Sequence, residues 1–219
     1  MNIKISNMKY DFHTHSKYSA DGYVEPKTMV KIAAKVGLSG IGVTDHNTIK
    51  GGLAAKKYEN DEIHVIVGSE ILTDKGEVIG IFLTEEIKST LFIDVIEEIK
   101  AQNGVVVVPH PFDGIRSTSL HPTHYDARFI DSVEVFNSRC VRQAYNDMAK
   151  DYAKENYLNS IAGSDAHFEN EIGNAGVETD SDNIKEAVLS GNVTVFGKRS
   201  NIINPVTTKL LKIWRGPKI

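Results

Sequence analysis

Short apolar runs alternate along the chain with longer segments in which apolar residues recur every three or four positions. The short runs predict eight β-strands, at residues 9–13, 40–44, 64–68, 78–83, 104–109, 132–136, 159–163 and 193–196. Several of them are continuous β-branched runs, which is typical of strands buried on both faces. The longer segments predict helices at 24–36, 91–102, 139–156 and 182–189. This alternation indicates an α/β fold built from parallel βαβ units.

The composition restricts the class of protein and the kind of metal site that the chain can form. The 219 residues are 41% hydrophobic and 25% charged, as in an ordinary globular protein. A single cysteine, Cys140, excludes an internal disulfide and thiolate-built metal sites, so a metal ion would have to bind nitrogen and oxygen. The N-terminus lacks a signal-peptide pattern, and the longest aliphatic run, 105–108, is too short to span a bilayer. We therefore expect a cytoplasmic protein without membrane contact.

Charge is unevenly distributed. Residues 192–219 contain six basic and no acidic residues, which leaves 19 basic and 29 acidic residues over 1–191, a charge of −10. An acidic body argues against general nucleic-acid binding. We expect one domain over residues 1–219, in which the basic segment 192–219 forms a strand and a helix that packs on the body. A partner-binding or nucleic-acid-facing helix is the alternative for that segment.

The strongest chemical signal is Asp11-Phe12-His13-Thr14-His15 at the end of the first predicted strand. Residues two apart on a strand point to the same face, so His13 and His15 can bind one metal ion together. Asp11 would act as a ligand or support a ligand from the same face. An isolated His-x-His pair is weak evidence, and the rest of the sequence has to support it.

That support comes from the ends of other predicted strands, which carry His46, Glu70, His110 and the pair Asp165 and His167. Helix capping would explain neighbours such as Asp45 and Ser164 but not five of the eight histidines at such positions. The other three histidines, His64, His121 and His124, are expected to be surface or structural residues. Ligands after nearly every strand favour a closed barrel over an open sheet, which would concentrate them at one switch point.

The segments DFHTHS, TDHNT, GSE, PHP and GSDAH together resemble the PHP (polymerase and histidinol phosphatase) superfamily, over about residues 9–195. The resemblance implies a distorted (β/α)7 TIM-like barrel with two or three divalent metal ions, Zn, Mn or Fe, at the strand ends. It implies that one ion is held by His13, His15, Glu70 and Asp165. Glu70 would bridge to a second ion on His110, and a third would take Asp21, His46 and His167. Asp21 is displaced by about one residue from the family's acidic position.

One position departs from that family. Many members have a histidine on the strand after the bridging glutamate, and here Glu77 stands at about that place. Either Glu77 replaces it as an oxygen ligand, or the second ion has one protein ligand fewer. A solvated turn carboxylate is the alternative interpretation.

Three further residues are candidates for contact with substrate. Arg116 is expected to hold a phosphate through its guanidinium group. Glu134 and Asn137 also lie at the end of a predicted strand, and they are expected to support the ligands or contact substrate. Arg139 and Arg142 are weaker candidates because they are expected on a helix exterior.

These expectations make the chain a metal-dependent phosphoric ester hydrolase acting on a small phosphorylated substrate by metal-hydroxide attack. Ions about 3.5–4 Å apart can share a hydroxide and neutralise the leaving oxygen, with Asp165 or His167 assisting proton transfer. The alternatives are a 3'-5' exonuclease or oligonucleotidase of the same family acting on short nucleic acid, a carbon–nitrogen hydrolase, and a non-catalytic metal-stabilised accessory module.

Overall fold

All the predicted strands, and the four helices predicted before residue 192, are present, and the described residues form one further strand and one further α-helix. The computed structural model describes residues 7–201, 203–204 and 207–208. In chain order the elements are β1 (Met8–Thr14), α1 (Pro26–Lys35), β2 (Gly40–Val43), α2 (Lys50–Lys56), β3 (His64–Leu72), β4 (Glu77–Ile81), α3 (Phe92–Ala101), β5 (Val105–Val108), β6 (Ser132–Asn137), α4 (Gln143–Glu155), β7 (Asn159–Gly163), β8 (Ala175–Thr179), α5 (Ile184–Ser190) and β9 (Thr194–Gly197).

The strands form one curved sheet in the order β7-β6-β5-β4-β3-β2-β1-β8-β9. The first half of β1 pairs antiparallel with β8, whereas the chain at its other end meets β7. There the His15 amide donates to the Ala166 carbonyl at 2.8 Å, and the Asp165 amide donates to the His13 carbonyl at 2.7 Å. Strands β1–β7 therefore nearly close a distorted α/β barrel, as the sequence predicts.

The expected parallel βαβ units do not extend to β8 and β9, which pair antiparallel. They also do not include β4, which runs antiparallel to both β3 and β5. Only residues 73–76 separate β3 from β4, too few for a crossover helix. The Thr73 hydroxyl closes this turn by donating to the Gly76 carbonyl at 2.6 Å, and Gly76 has φ 135°, a value that side chains disfavour. As a consequence, β4 begins at the rim where β3 ends, and Glu77 lies at that rim.

The predicted helix 139–156 begins later than expected. Helix α4 starts at Gln143, so Arg139 lies in the loop after β6 and not on a helix exterior. Helix α2 and strand β8 were not predicted. Both contain glycine and few large apolar residues, so their periodicity is weak.

The barrel strands are packed in a buried hydrophobic core below the rim. All four valines of β5 are fully buried, and full burial of such a side chain contributes about 1.5–3 kcal/mol. Helix α3 covers this region with Phe92, Val95 and Ile99, which are also buried. His110 follows β5 by two positions, so the packing of β5 fixes its place at the rim.

The C-terminal segment is described only in part. Strand β9 pairs antiparallel with β8, and the Arg199 guanidinium donates to the Val141 carbonyl at 2.7 Å. The apolar residues of the predicted terminal helix, Leu210, Leu211, Ile213 and Trp214, lie outside the described residues. Among the helices that are described, none has the length and apolar character needed to cross a membrane.

Candidate metal centre

The eight residues predicted as metal ligands converge at the rim where the parallel strands end. Seven are buried, and the side chain of His46 is partly exposed. Each lies near the C-terminal end of a strand or in the loop that follows it. His13 and His15 share β1 and its end, Asp165 and His167 both follow β7, and Asp21 lies in the loop after β1. The set brought together is His13, His15, Asp21, His46, Glu70, His110, Asp165 and His167.

The centre of the cluster is formed by the two histidines of β1 and the carboxylates that face them. The Nε2 atoms of His13 and His15 are 3.0 Å apart. Oε2 of Glu70 lies 3.5 and 3.3 Å from these two nitrogens, and Oδ1 of Asp165 lies 3.7 and 3.4 Å from them. Oδ1 of Asp165 is buried and has no hydrogen-bond partner among the described residues. Two imidazoles and two carboxylates aimed at one point fit a divalent cation.

Glu70 spans two groups of possible ligands with its two oxygens. Its Oε1 is 3.0 Å from Nε2 of His110, and its Oε2 is 3.1 Å from Nδ1 of His46. His13, Glu70 and His110 offer ligand atoms that all lie within 4.8 Å of one another. The two oxygens of this carboxylate therefore face two different groups of histidines.

A third group lies on the other side of His15. His15, His46 and His167 also offer ligand atoms within 4.8 Å of one another. Oδ1 of Asp21 is 3.5 Å from Nε2 of His46 and 3.4 Å from Nε2 of His167. The carboxylate of Asp21 therefore reaches this group despite its one-residue displacement in the sequence.

The outer nitrogens of the central histidines are held by neighbouring acceptors. Nδ1 of His13 is 2.9 Å from Oε1 of Glu134. Nδ1 of His15 is 3.2 Å from the Ser19 hydroxyl, which itself donates to Asp45 at 2.7 Å. These acceptors hold a proton on Nδ1 of each ring, so Nε2 is the nitrogen that faces the cluster and is left to bind a metal ion.

The backbone at the rim adopts conformations that side chains rarely allow. Asp165 has φ 54° and His110 has φ 29°, and such non-glycine strain is concentrated at functional sites. Gly163 lets β7 approach β1, because a Cβ atom there would lie 2.3 Å from Cβ of His13. The close approach brings Asp165 to the two β1 histidines.

The comparison with known proteins agrees with this geometry. The model of the PHP domain family matches residues 11–200, a span that holds all eight converging residues. The chain belongs to the PHP domain family. An uncharacterised protein of Methanocaldococcus jannaschii is 41% identical over 143 residues, which are 60% of this chain and 82% of that relative.

Two solved structures have folds similar to that of this PHP domain. A two-domain protein from Bacteroides vulgatus containing a predicted PHP-like metal-dependent phosphoesterase is similar with a TM-score of 0.71 and 24% identity, over 93% of this chain and 70% of that one. A lesion-specific endonuclease from Pyrococcus furiosus is similar with a TM-score of 0.60 and 14% identity, over 87% of this chain and 58% of that one. These likenesses establish the fold, a distorted barrel of the PHP type.

In the PHP domain site, the pKa of each buried carboxylate and histidine depends on the charges of its neighbours. Burial alone would raise the pKa of Glu70, but His13 and His46 hold it well below its usual range. Burial would also raise the pKa of Asp165, and Arg116 with His13 holds it well below. Conversely, burial disfavours charged His13, but Glu134, Asp165 and Glu70 raise its pKa well above the ordinary value. Divalent cations replace such shared protons readily.

Two histidines are kept neutral instead. Burial, together with His167 and His46, lowers the pKa of His15 to about 4. Burial and the neighbouring Arg139 guanidinium lower the pKa of His167. At neutral pH both imidazoles therefore present uncharged nitrogens, the form in which histidine binds metal ions.

The predicted substrate residues have different surroundings. Arg116 lies at the edge of the cluster, with Nη2 2.5 Å from Oδ2 of Asp165 and Nε 3.1 Å from Oδ2 of Asp113. Glu134 and Asn137 are buried among protein groups: Glu134 accepts from the His110 amide at 2.9 Å, and Asn137 donates to Glu134 at 2.9 Å. These contacts favour support of the ligands, one of the two roles expected for Glu134 and Asn137.

Asp11 and Arg139 support the site through contacts that the sequence did not specify. Asp11 accepts from the amides of Ser164 and Gly173 at 2.9 Å each, so it fastens loops and is not aimed at the cluster. Arg139, expected on a surface, is buried. Its Nη1 lies 3.0 Å from Nδ1 of His167, and its Nε donates to Glu171 at 3.0 Å. A buried arginine has no local sequence signature, because its partner lies 32 residues away.

Proposed function

We propose that this PHP domain is a metal-dependent phosphoesterase that hydrolyses a small phosphorylated substrate at a site of two or three ions. The observation that supports this most directly is the placement of Glu70, which faces His13, His15 and His46 with one oxygen and His110 with the other. A carboxylate in that position sets the spacing of adjacent ions.

The residues that would hold the ions divide as the family resemblance suggests. His13, His15, Glu70 and Asp165 would hold the first, Glu70 and His110 the second, and Asp21, His46 and His167 the third. Zn, Mn and Fe(II) all suit mixed imidazole and carboxylate ligands. When bound, such ions supply a hydroxide at neutral pH and neutralise charge on the phosphoryl group.

Arg116 would orient the phosphate. The hydrogen bonds that the structure describes use its Nε and Nη2 on Asp113 and Asp165, which fixes the guanidinium plane at the edge of the site. Burial disfavours the charged form, but Asp165 and Asp113 raise the pKa of Arg116 well above its usual value. A permanently charged planar group beside the ligands matches the geometry of a phosphate.

Asp165 and His167 would manage protons at the reacting centre. Oδ1 of Asp165 points toward the Nε2 atoms of both β1 histidines, and its Oδ2 is held by Arg116. With only two ions bound, Nε2 of His167 would not hold a metal ion, and this neutral imidazole would accept a proton. Side chains that are held this firmly need little rearrangement during reaction.

A nuclease acting on short nucleic acid is the second candidate. Its support is the basic segment 192–219 and the fold likeness to the Pyrococcus furiosus endonuclease. The charge of −10 over residues 1–191 favours the small substrate, because a phosphate backbone is bound through many cationic contacts.

The test is turnover of p-nitrophenyl phosphate and bis-p-nitrophenyl phosphate before and after chelation, with metal content measured on the same samples. We expect two or three ions per chain, chelator-sensitive turnover, and a preference for the monoester. Arg116→Gln should raise KM by about 10- to 100-fold, as the loss of a charge-assisted hydrogen bond does. Arg128→Gln is the matched control, since that exposed arginine contacts the Tyr125 carbonyl.

The outcomes separate the candidates. Preference for the diester would support the nuclease. A full complement of ions without turnover of either substrate would reject the phosphoesterase and favour a metal-stabilised module, in which chelation would lower the melting temperature instead.

A further inference from the structure

Glu77 lies beside the proposed ligands because β4 runs antiparallel to β3. The register pairs Glu70 with Ile79 and Leu72 with Glu77. Residues directly opposite share a face of the sheet, and residues two apart on a strand share it as well. Glu77 therefore projects from the same face as Glu70, one step closer to the rim.

The side chain of Glu77 is buried and directed. It is 7% exposed as a residue, so it is not a solvated turn carboxylate. The Thr118 hydroxyl donates to its Oε2 at 2.7 Å, and the Glu77 amide donates to the Thr118 carbonyl at 2.8 Å. These two bonds attach the start of β4 to the loop that carries Arg116 and fix the carboxylate.

Glu77 faces the other possible ligands of the second ion. Its Oε2 lies 3.8 Å from Nε2 of His110, which is 3.0 Å from Glu70. His46, Glu70 and Glu77 offer ligand atoms that lie within 4.8 Å of one another. Two buried carboxylates at this distance need a cation or a proton between them.

We propose that Glu77 is a further metal ligand, which completes with Glu70 and His110 a carboxylate-rich site at which Mn²⁺ competes with Zn²⁺ better than it does at an imidazole-rich site. The inference rests on the proposed metal site but not on the substrate. Two carboxylates and one imidazole form a harder ligand set than one in which imidazoles predominate, and carboxylate oxygen suits manganese. Thr118 is then the residue that orients this ligand.

The experiment measures metal binding without substrate, by equilibrium dialysis against Mn²⁺ or Zn²⁺ and by the electron paramagnetic resonance of bound Mn²⁺. We compare the wild type with Glu77→Gln, Glu77→His and Thr118→Val, and use Glu59→Gln as the control. Glu59 binds Lys56 and the Val65 amide, far along β3 from the rim.

Glu77→Gln should lose one bound Mn²⁺ per chain, whereas Glu59→Gln should bind like the wild type. Glu77→His should keep the number of ions and shift the preference toward Zn²⁺ by roughly tenfold, since imidazole suits that ion. Thr118→Val keeps the carboxylate and should weaken Mn²⁺ binding by about 10-fold, the scale of an orienting contact.

The proposal is overturned if Glu77→Gln binds Mn²⁺ with the wild-type number and affinity, or if Glu77→His has the wild-type preference. If Glu77→Gln fails to fold, the ratio of Mn²⁺ to Zn²⁺ affinity in Glu77→His and the response of Thr118→Val decide the question. Failure of the phosphoesterase would appear differently, as absent turnover with these binding results intact.

Discussion

The two sides of the rim offer different chemistry. On one side, which we call the imidazole side, His15, His46 and His167 lie together, and Asp21 faces His46 and His167. On the other, which we call the carboxylate side, Glu70 and Glu77 face His110. Parallel strands β1, β2 and β7 supply the first side, while the antiparallel strand β4 brings Glu77 to the second. The difference shows that a local change in strand direction can alter which ligands a barrel presents.

The supports of the two sides also differ. The imidazole side is backed by the buried pair of Arg139 and Glu171 and by the serine–aspartate pair Ser19 and Asp45. The carboxylate side is backed by Thr118 and by Ser119, whose hydroxyl lies 3.4 Å from Nδ1 of His110. The two sides can therefore be perturbed separately, apart from Glu70, which both share.

Removing the shared carboxylate should have the largest effect. Glu70→Gln should bind fewer ions on both sides and lower turnover by about 10³-fold, because metal-ion stabilisation of the transition state contributes several kcal/mol. Metal analysis and phosphatase assays check this, with Glu59→Gln as the control. Unchanged metal content in Glu70→Gln would contradict the bridging role.

Breaking the buried ion pair should affect the imidazole side. Arg139→Met leaves the Glu171 carboxylate buried without its guanidinium partner, and such a change costs about 3–5 kcal/mol of unfolding free energy. Chemical denaturation measures the loss. Arg142→Met removes an exposed arginine of the same loop and should have almost no effect, and equal stability of the two variants would argue against this role for Arg139.

Removing the hydrogen-bond partner of His13 should have an intermediate effect on metal affinity, and it should affect both sides. Glu134→Gln disturbs the acceptor of Nδ1 of His13, and changes of this kind lower metal affinity by about 10- to 100-fold. Isothermal titration with Mn²⁺ measures it. Glu178→Gln, on β8 in an ion pair with Lys9, is the control, and wild-type affinity in Glu134→Gln would count against the tautomer assigned to His13.

The pH should change metal affinity in a defined direction. Despite burial, carboxylate neighbours raise the pKa of His13 and of His46 well above the usual value. At neutral pH these rings carry protons that an ion must displace, so affinity should rise with pH, by up to about tenfold per pH unit for each proton released. Titrations in buffers of different ionisation enthalpy count the protons, and a flat profile would contradict this assignment.

The smallest effect should come from one hydroxyl on the imidazole side. Ser19→Ala removes the acceptor for Nδ1 of His15 and for the His46 amide. Loss of such neutral hydrogen bonds costs about 0.5–1.5 kcal/mol each, so metal affinity should fall by roughly tenfold. Ser190→Ala, at an exposed serine that ends α5, is the control. A loss as large as that of Glu70→Gln would show that the two sides are not separable.

Much of this protein follows from local sequence pattern. The continuous valines of β5 and the apolar period of α3 identify their elements, because burial on both faces or on one face leaves a direct trace in the sequence. The histidines that follow β1, β2, β5 and β7 identify the rim, since ligands after successive strands meet only when those strands share a barrel end. Their metal roles remain predictions.

The remainder was decided only in three dimensions. The direction of β4 depends on a four-residue turn, and it determines whether Glu77 is solvated or lies beside His110. The burial of Arg139 depends on Glu171, 32 residues further along the chain. Sequence period reports which face of an element is buried, but strand direction and long-range polar pairs arise from packing between distant segments, and no local pattern encodes them.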